Sequence, residues 1–152
     1  MMGGVRDEAD ERLLSDLKKM AKDLNVADSV VFLASRPRDE ILKVYARAKV
    51  GLHTMKEEHF GIAIVEMMSA GLVTITHASG GPLHDIIGTS EEPIGYLCSS
   101  TKEFATQLVH AVKNFERKEV RDLREQARKH VDQNFTVSSF DSRFIKLLQM
   151  AL

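Results

Sequence analysis

Hydrophobic positions along the chain recur at two spacings, one typical of helices and the other of buried strands. Across residues 7–24, apolar side chains return every three or four positions among charged ones, which predicts an amphipathic helix ending at Asn25. Short runs rich in β-branched or aromatic residues predict strands instead, because they are too short for a helix of ordinary length. These runs occupy residues 29–34, 50–53, 72–76 and 94–97.

Helical patterns fill most of the remaining segments. Gly71 suits the left-handed turn that follows a helix, and Ser100 with Glu103 three residues later suits a capping box. Thr136 is a further capping residue. The predicted helices cover residues 39–48, 61–70, 82–87, 100–115 and 118–133, and a last helix begins after Thr136.

The order of these elements predicts an α/β fold. Strands that alternate with helices at this spacing indicate βαβ units, and therefore a parallel sheet with helices on both faces. Ligands bind such sheets at the carboxyl ends of the strands. The loops of interest are therefore residues 3–6, 34–38, 53–60 and 77–82. No strand is predicted before the first helix, which suggests a piece of a longer protein.

Composition narrows the class of protein. The 152 residues, of which 43% are hydrophobic, suffice for one domain, residues 1–152, with a single core. A net charge of -1 provides no field that would attract nucleic acid, so no nucleic-acid partner is expected. No apolar run approaches the roughly 20 residues that cross a bilayer. One cysteine, Cys98, suits a reducing, cytoplasmic location.

Two glutamates near the middle of the chain are the candidate ligand-binding carboxylates. Glu58 lies in a predicted loop and Glu66, eight positions later, in the following helix, so both can face one cleft. Gly61 between them permits close approach of the backbone to a ligand. The start of that helix presents free N–H groups that suit a phosphate. The set therefore suits a ligand with two polyol groups flanking a diphosphate.

The segment EHFGIAIVE, with Glu58 and Glu66 at its ends, resembles the Glu-x7-Glu motif of retaining glycosyltransferases with the two-Rossmann-domain (GT-B) fold. The similarity extends through GLHTMKEEHFGIAIVEMMSAG, the run LVTIT and the turn SGGP. It looks most like the members that transfer α-1,2-linked mannose from GDP-mannose to the dolichol-linked oligosaccharide precursor of N-glycans. His59 favours this group of members, since other members of the family commonly carry Glu-Gly-Phe-Gly where this chain has Glu58-His59-Phe60-Gly61.

The resemblance implies a Rossmann-like, nucleotide-sugar-binding C-terminal domain, truncated at its N-terminus and without its acceptor-binding domain. By the same resemblance, Glu58 would act in catalysis by binding donor-sugar hydroxyls, and Glu66 would bind the ribose. The remaining implied substrate-binding residues are His59, Phe60, Gly61 and Ile62 beside the sugar and diphosphate, Gly3, Gly4 and Gly80 along the cleft, and Ser35 and Arg36 beside the base.

Further expectations follow from the resemblance. No metal and no cofactor besides the donor are expected, and a lipid-linked oligosaccharide acceptor would bind the missing N-terminal domain. The full-length protein would act on the cytosolic face of the endoplasmic reticulum membrane, and an isolated fragment would be inactive. The basic pair that neutralises the leaving diphosphate would lie upstream of Met1.

The chain departs from the family pattern at Lys56 and Glu57, and at the pair Leu83-His84. These departures affect the acceptor and base assignments more than the donor site. Three alternatives stay open: a family member that uses a UDP- or GDP-sugar on another acceptor, a sugar epimerase of the same two-domain architecture, or a non-catalytic nucleotide-binding α/β module. Histidines near Glu58 could suggest a metal site, but their spacing lacks the helical His-Glu-x-x-His pattern.

Overall fold

A computed structural model of the chain describes residues 1–151. It divides into two compact units, residues Met1–Val44 and Tyr45–Leu152, and each is described by itself. The prediction of one domain over residues 1–152 stays a prediction. No helix within the described part of the chain is long and apolar enough to span a bilayer.

The first unit contains a pair of short parallel strands and a long helix. Strands β1 (Met2–Gly3) and β2 (Leu33–Ala34) pair in parallel, and helix α1 (Glu8–Asp23) connects them. The Asp7 carboxylate caps α1 by accepting from two backbone N–H groups in its first turn. Asn25 follows with a positive φ of 55°, as predicted for the residue that ends this helix.

Two predictions for the first unit were wrong. Strand β1 precedes α1, although a two-residue strand carries no alternating pattern from which it could be predicted. The strand predicted at residues 29–34 is reduced to Leu33–Ala34, and Ala27–Ser29 forms a 3₁₀ turn. The pairing with β1 sets this length, because only the residues opposite a two-residue strand enter the ladder.

Helix α2 (Arg38–Tyr45) ends at the first residue of the second unit. The centre of the second unit is a parallel sheet of three strands. They are β3 (Val50–His53), β4 (Val73–His77) and β5 (Tyr96–Cys98), with β4 in the middle. Thr76 of β4 lies opposite both His53 and Leu97. The carboxyl ends of all three strands therefore meet at one edge of the sheet.

Four helices and two short helical turns complete the second unit. Helix α3 (Ile62–Ser69) connects β3 to β4, and a five-residue π-helical turn (Pro82–Ile86) with a 3₁₀ turn (Ile87–Thr89) leads toward β5. The chain ends in α4 (Thr101–Lys113), α5 (Lys118–Asn134) and α6 (Val137–Ala151). Each lies within a few residues of its predicted span. The predicted helix over residues 82–87 forms the π-helical turn instead.

The core of the second unit packs the sheet against α4 and α5. The buried side chains of this core are Val73, Ile75, Cys98, Ala111, Phe115, Val120 and Leu123. The predicted caps are confirmed, because Ser100 Oγ accepts from Glu103 N at 3.3 Å and Thr136 Oγ1 accepts from Ser139 N at 3.2 Å. The return bond of the predicted capping box differs, since Glu103 accepts from Ser99 N at 2.8 Å. The parallel α/β prediction is also confirmed, with the strands divided between two sheets.

Candidate functional site

The loop between β3 and α3 carries Glu58 at the carboxyl edge of the three-stranded sheet. His53 ends β3, and its Nε2 lies 3.3 Å from Oε2 of Glu58. The two side chains are only 17% and 23% exposed. The Glu58 carboxylate is therefore mostly buried, and one of its oxygens lies beside the His53 ring.

Hydrogen bonds attach this loop to the turn after β4. Gly81 N donates to the backbone carbonyl of Glu58 at 2.8 Å, and Glu57 N donates to Ser79 Oγ at 2.9 Å. Ser79 Oγ also lies 2.8 Å from Nδ1 of His77, the last residue of β4. The loop after β3 and the turn after β4 thus form one connected structure at the sheet edge.

The two glycines of the SGGP turn permit this close packing. Gly80 has a positive φ of 53°, and a Cβ there would collide with the carbonyl oxygen of Glu58. A Cβ on Gly81 would collide with the backbone of Phe60. Gly80, predicted to line the site, therefore lies directly against the Glu58 backbone.

Gly61 begins helix α3, as predicted, with a left-handed φ of 105°. No side chain caps this helix end. Its first N–H groups, at Ile62 and Ala63, have no acceptor within the helix and carry the positive end of its dipole. This arrangement suits an anionic group such as a diphosphate.

Glu66 lies half-buried in the second turn of α3, and the far end of that helix is fixed by α5. Arg124 Nε donates to the carbonyl of Gly71 at 2.7 Å, and Arg128 donates to that of Ala70 at 3.3 Å. The Arg124 guanidinium also covers the Phe115 ring at 4.1 Å from its centroid. Burial is the main cause that lowers the pKa of Arg124 from its ordinary value.

Exposed side chains line the rest of the loop. His59 and Ile62 are exposed, and the Phe60 ring meets that of Phe135 edge to face, with centroids 5.6 Å apart. Phe135 directly follows α5, so this contact connects the loop to a second helix. The predicted residues of the second unit thus lie along one loop and the helix that follows it, except Gly80, which lies in the adjoining turn after β4.

The predicted residues of the first unit gather at the ends of β1 and β2. Ser35 N donates to the Gly3 carbonyl at 2.9 Å, and Ser35 Oγ accepts from Val5 N at 2.9 Å, which ties the loop after β2 to the segment after β1. Arg36 pairs with Glu40 at 3.7 Å on the surface. The role of these residues in donor binding stays a prediction.

Sequence reasoning placed His53, His77 and Ser79 in the loops of interest, at the carboxyl ends of predicted strands, but assigned them no role in the donor site. Among residues 1–151, no group of three or more His, Cys, Asp or Glu side chains is arranged to hold a metal ion. Donor binding without a metal stays a prediction.

Comparison with known sequences and structures extends these observations. The sequence model described as "Glycosyl transferases group 1" matches residues 2–131. The "GDP-Man:Man(3)GlcNAc(2)-PP-Dol alpha-1,2-mannosyltransferase" of Dictyostelium discoideum is 36% identical over 149 residues, which cover 98% of this chain and 28% of the relative. The human protein of the same description is 37% identical over 147 residues, covering 93% of this chain and 30% of the relative. The chain thus spans less than a third of these relatives' length.

Solved structures share the fold at low sequence identity. Anabaena HepE, crystallised with UDP, is 20% identical with a TM-score of 0.81, over 97% of this chain and 39% of that protein. Sucrose-phosphate synthase from Thermosynechococcus elongatus is 21% identical with a TM-score of 0.72, over 99% of this chain and 37% of the synthase. The chain therefore has the α/β architecture of one part of a GT-B glycosyltransferase, as predicted.

Proposed function

The chain belongs to the glycosyl transferases group 1 family, and on that premise we propose that it is the donor-binding domain of a retaining mannosyltransferase. The donor is GDP-mannose, and the acceptor is a dolichol-linked oligosaccharide bound by a domain outside this chain. The names of the two mannosyltransferases, each about a third or more identical over nearly the whole chain, support this choice.

The observation that carries the proposal is the attachment of the Glu58 loop to the turn Ser79–Gly81, directly before the uncapped start of α3. Three features of a nucleotide-sugar site thereby adjoin one another: a carboxylate for sugar hydroxyls, free N–H groups for a diphosphate, and a half-buried second carboxylate, Glu66. The hydrogen bonds from the loop to the turn hold Glu58 in place before the donor binds, which lowers the entropy cost of binding.

In this proposal the domain promotes transfer by stabilising negative charge on the leaving diphosphate, and it supplies no nucleophile. As the bond from sugar to diphosphate breaks, negative charge grows on the leaving group at the start of α3, where backbone N–H groups stabilise it. Glu58 orients the sugar through its hydroxyls. A basic pair in the part of the protein preceding this chain completes the neutralisation, and no metal takes part.

Localisation follows from the proposed acceptor. A dolichol-linked oligosaccharide is embedded in a membrane, so we place the full-length protein at the cytosolic face of the endoplasmic reticulum. The donor-binding domain itself would face the cytosol, where it meets the nucleotide sugar. By itself this domain is expected to bind the donor weakly and to transfer nothing, because it lacks the acceptor domain.

Isothermal titration with GDP-mannose, UDP-glucose and GDP tests the donor assignment. The chain should bind GDP-mannose most tightly, and Glu66→Ala should weaken both GDP-mannose and GDP, because Glu66 is proposed to contact the ribose. Glu125→Ala, which changes an exposed glutamate of α5, is the matched control and should bind like the unchanged chain. Tighter binding of UDP-glucose would favour another family member. Absent binding, or equal affinities across all ligands and both variants, would contradict a donor site.

A further inference from the structure

His53 stands beside the proposed sugar-binding carboxylate, and the function proposed above gives it no role. It is the last residue of β3, and its Nε2 lies 3.3 Å from Glu58 Oε2. From this geometry we propose that His53 is a positioning residue, which holds the Glu58 carboxylate in the orientation that receives the donor sugar. The proposal rests on the proposed function, since it requires Glu58 to contact that sugar.

The chemistry of the two groups defines the contact. The two atoms lie 3.3 Å apart, and an ionised carboxylate only accepts hydrogen bonds, so a hydrogen shared by the pair would be carried by His53 Nε2. Nδ1 of the same ring is buried and has no hydrogen-bond partner among the described residues. Glu58 is therefore the polar group that the structure places against this ring, and the ring has no competing contact at Nδ1 that would turn it away.

Glu58 is restrained at both of its ends. Its backbone carbonyl accepts from Gly81 N at 2.8 Å, which fixes the start of the side chain. His53 lies against the far end at Oε2, and in this proposal Oε1 receives a sugar hydroxyl. Because a carboxylate has about four acceptor positions, one contact with histidine does not prevent a second with the sugar.

Restraint of the Glu58 side chain should strengthen binding of the sugar more than binding of the nucleotide. A glutamate side chain has several rotatable bonds, so holding it in place before binding saves the cost of ordering it in the complex. The diphosphate and nucleoside would meet other groups, at the start of α3 and at Glu66. Loss of the ring should therefore weaken GDP-mannose about tenfold, the scale of one hydrogen bond to a charged group, and should leave GDP unaffected.

The experiment is a double-mutant cycle in which GDP and GDP-mannose are each titrated against every variant. The variants are His53→Ala, His53→Gln, Glu58→Gln and the pair His53→Ala with Glu58→Gln. His53→Ala should weaken GDP-mannose alone, and His53→Gln, whose amide can donate to the carboxylate, should recover much of the loss. In the Glu58→Gln background, His53→Ala should cause little further loss, because the two residues act through one contact. His110→Ala, on the surface of α4, controls for loss of a histidine as such.

Several results would overturn the positioning role. Equal weakening of GDP and GDP-mannose by His53→Ala would indicate a structural role only. Full affinity in that variant, no recovery by His53→Gln, or losses that simply add in the double variant would each contradict the contact. An unchanged chain that fails to prefer GDP-mannose over GDP would contradict the proposed function itself, and the positioning role with it. That failure is distinct, because it occurs before any residue is changed.

Discussion

The two units of the chain use the same local patterns but bury very different amounts of their own apolar surface. In the first unit, Ala21 is the one buried hydrophobic residue among those described, and Leu13 on the apolar side of α1 is 57% exposed. In the second, Val73 and Ile75 of β4 are fully buried. A periodic pattern therefore tells which side of an element is apolar, but not how much of that side its own unit covers.

Their glycines show the same contrast. A Cβ on Gly3 or Gly4 would meet no atom within 4 Å, whereas one on Gly80 or Gly81 would enter the backbone of the loop that carries Glu58. The strand-end loops of the first unit have space around them, and those of the second are packed together. The proposed sugar-binding part of the site thus lies where two backbone segments are closely packed.

The largest expected difference between the units concerns the core. Ile75→Ala removes a fully buried side chain and should lower the free energy of unfolding by about 4 kcal/mol, from the lost burial and the remaining cavity. Leu13→Ala, at an exposed helical position, should change it by about 0.5 kcal/mol or less. Urea unfolding followed by circular dichroism measures both changes. Similar losses of unfolding free energy in the two variants would contradict the contrast, because they would show that Leu13 is buried to the same extent as Ile75.

Alanine at one glycine of each unit tests the packing of the loops. Gly81→Ala should cost about 3 kcal/mol, because the Phe60 backbone must move to admit the new methyl group. Gly4→Ala should leave stability unchanged or raise it by about 0.5 kcal/mol, since its Cβ enters open space and the unfolded chain loses freedom. Thermal unfolding of the two variants provides the measurement. A destabilised Gly4→Ala protein would contradict the contrast.

The smallest difference concerns charged side chains. Arg124→Ala should cost about 2 kcal/mol, because it removes the bond to the Gly71 carbonyl and the contact with the Phe115 ring. Arg12→Ala, which removes an exposed pair with Glu8 one helical turn away, should cost about 0.5 kcal/mol or less. Denaturant midpoints compare the two. If Arg12→Ala lowered the free energy of unfolding as much as Arg124→Ala does, the bond from Arg124 to the Gly71 carbonyl after α3 would not make the second unit more sensitive to loss of an arginine.

Much of the fold was predictable because its signals are local. The helix periods, the left-handed residues Asn25 and Gly71, and the caps at Ser100 and Thr136 each depend on a few neighbouring residues. Strand β1 was not predictable, since two residues carry no pattern. The length of β2 was also missed, because a strand extends only as far as its partner.

The candidate site likewise combines features that a short segment determines with contacts between distant segments. By themselves, the residues specified a loop carboxylate at Glu58, a glycine-started helix and a second carboxylate at Glu66, because motif spacing and helix geometry are properties of a short segment. Only the tertiary structure placed His53 against Glu58 and joined the Glu58 loop to the turn after β4. The second of these contacts joins segments that follow neighbouring parallel strands, so its geometry depends on the register between β3 and β4, which hydrogen bonds between distant segments decide.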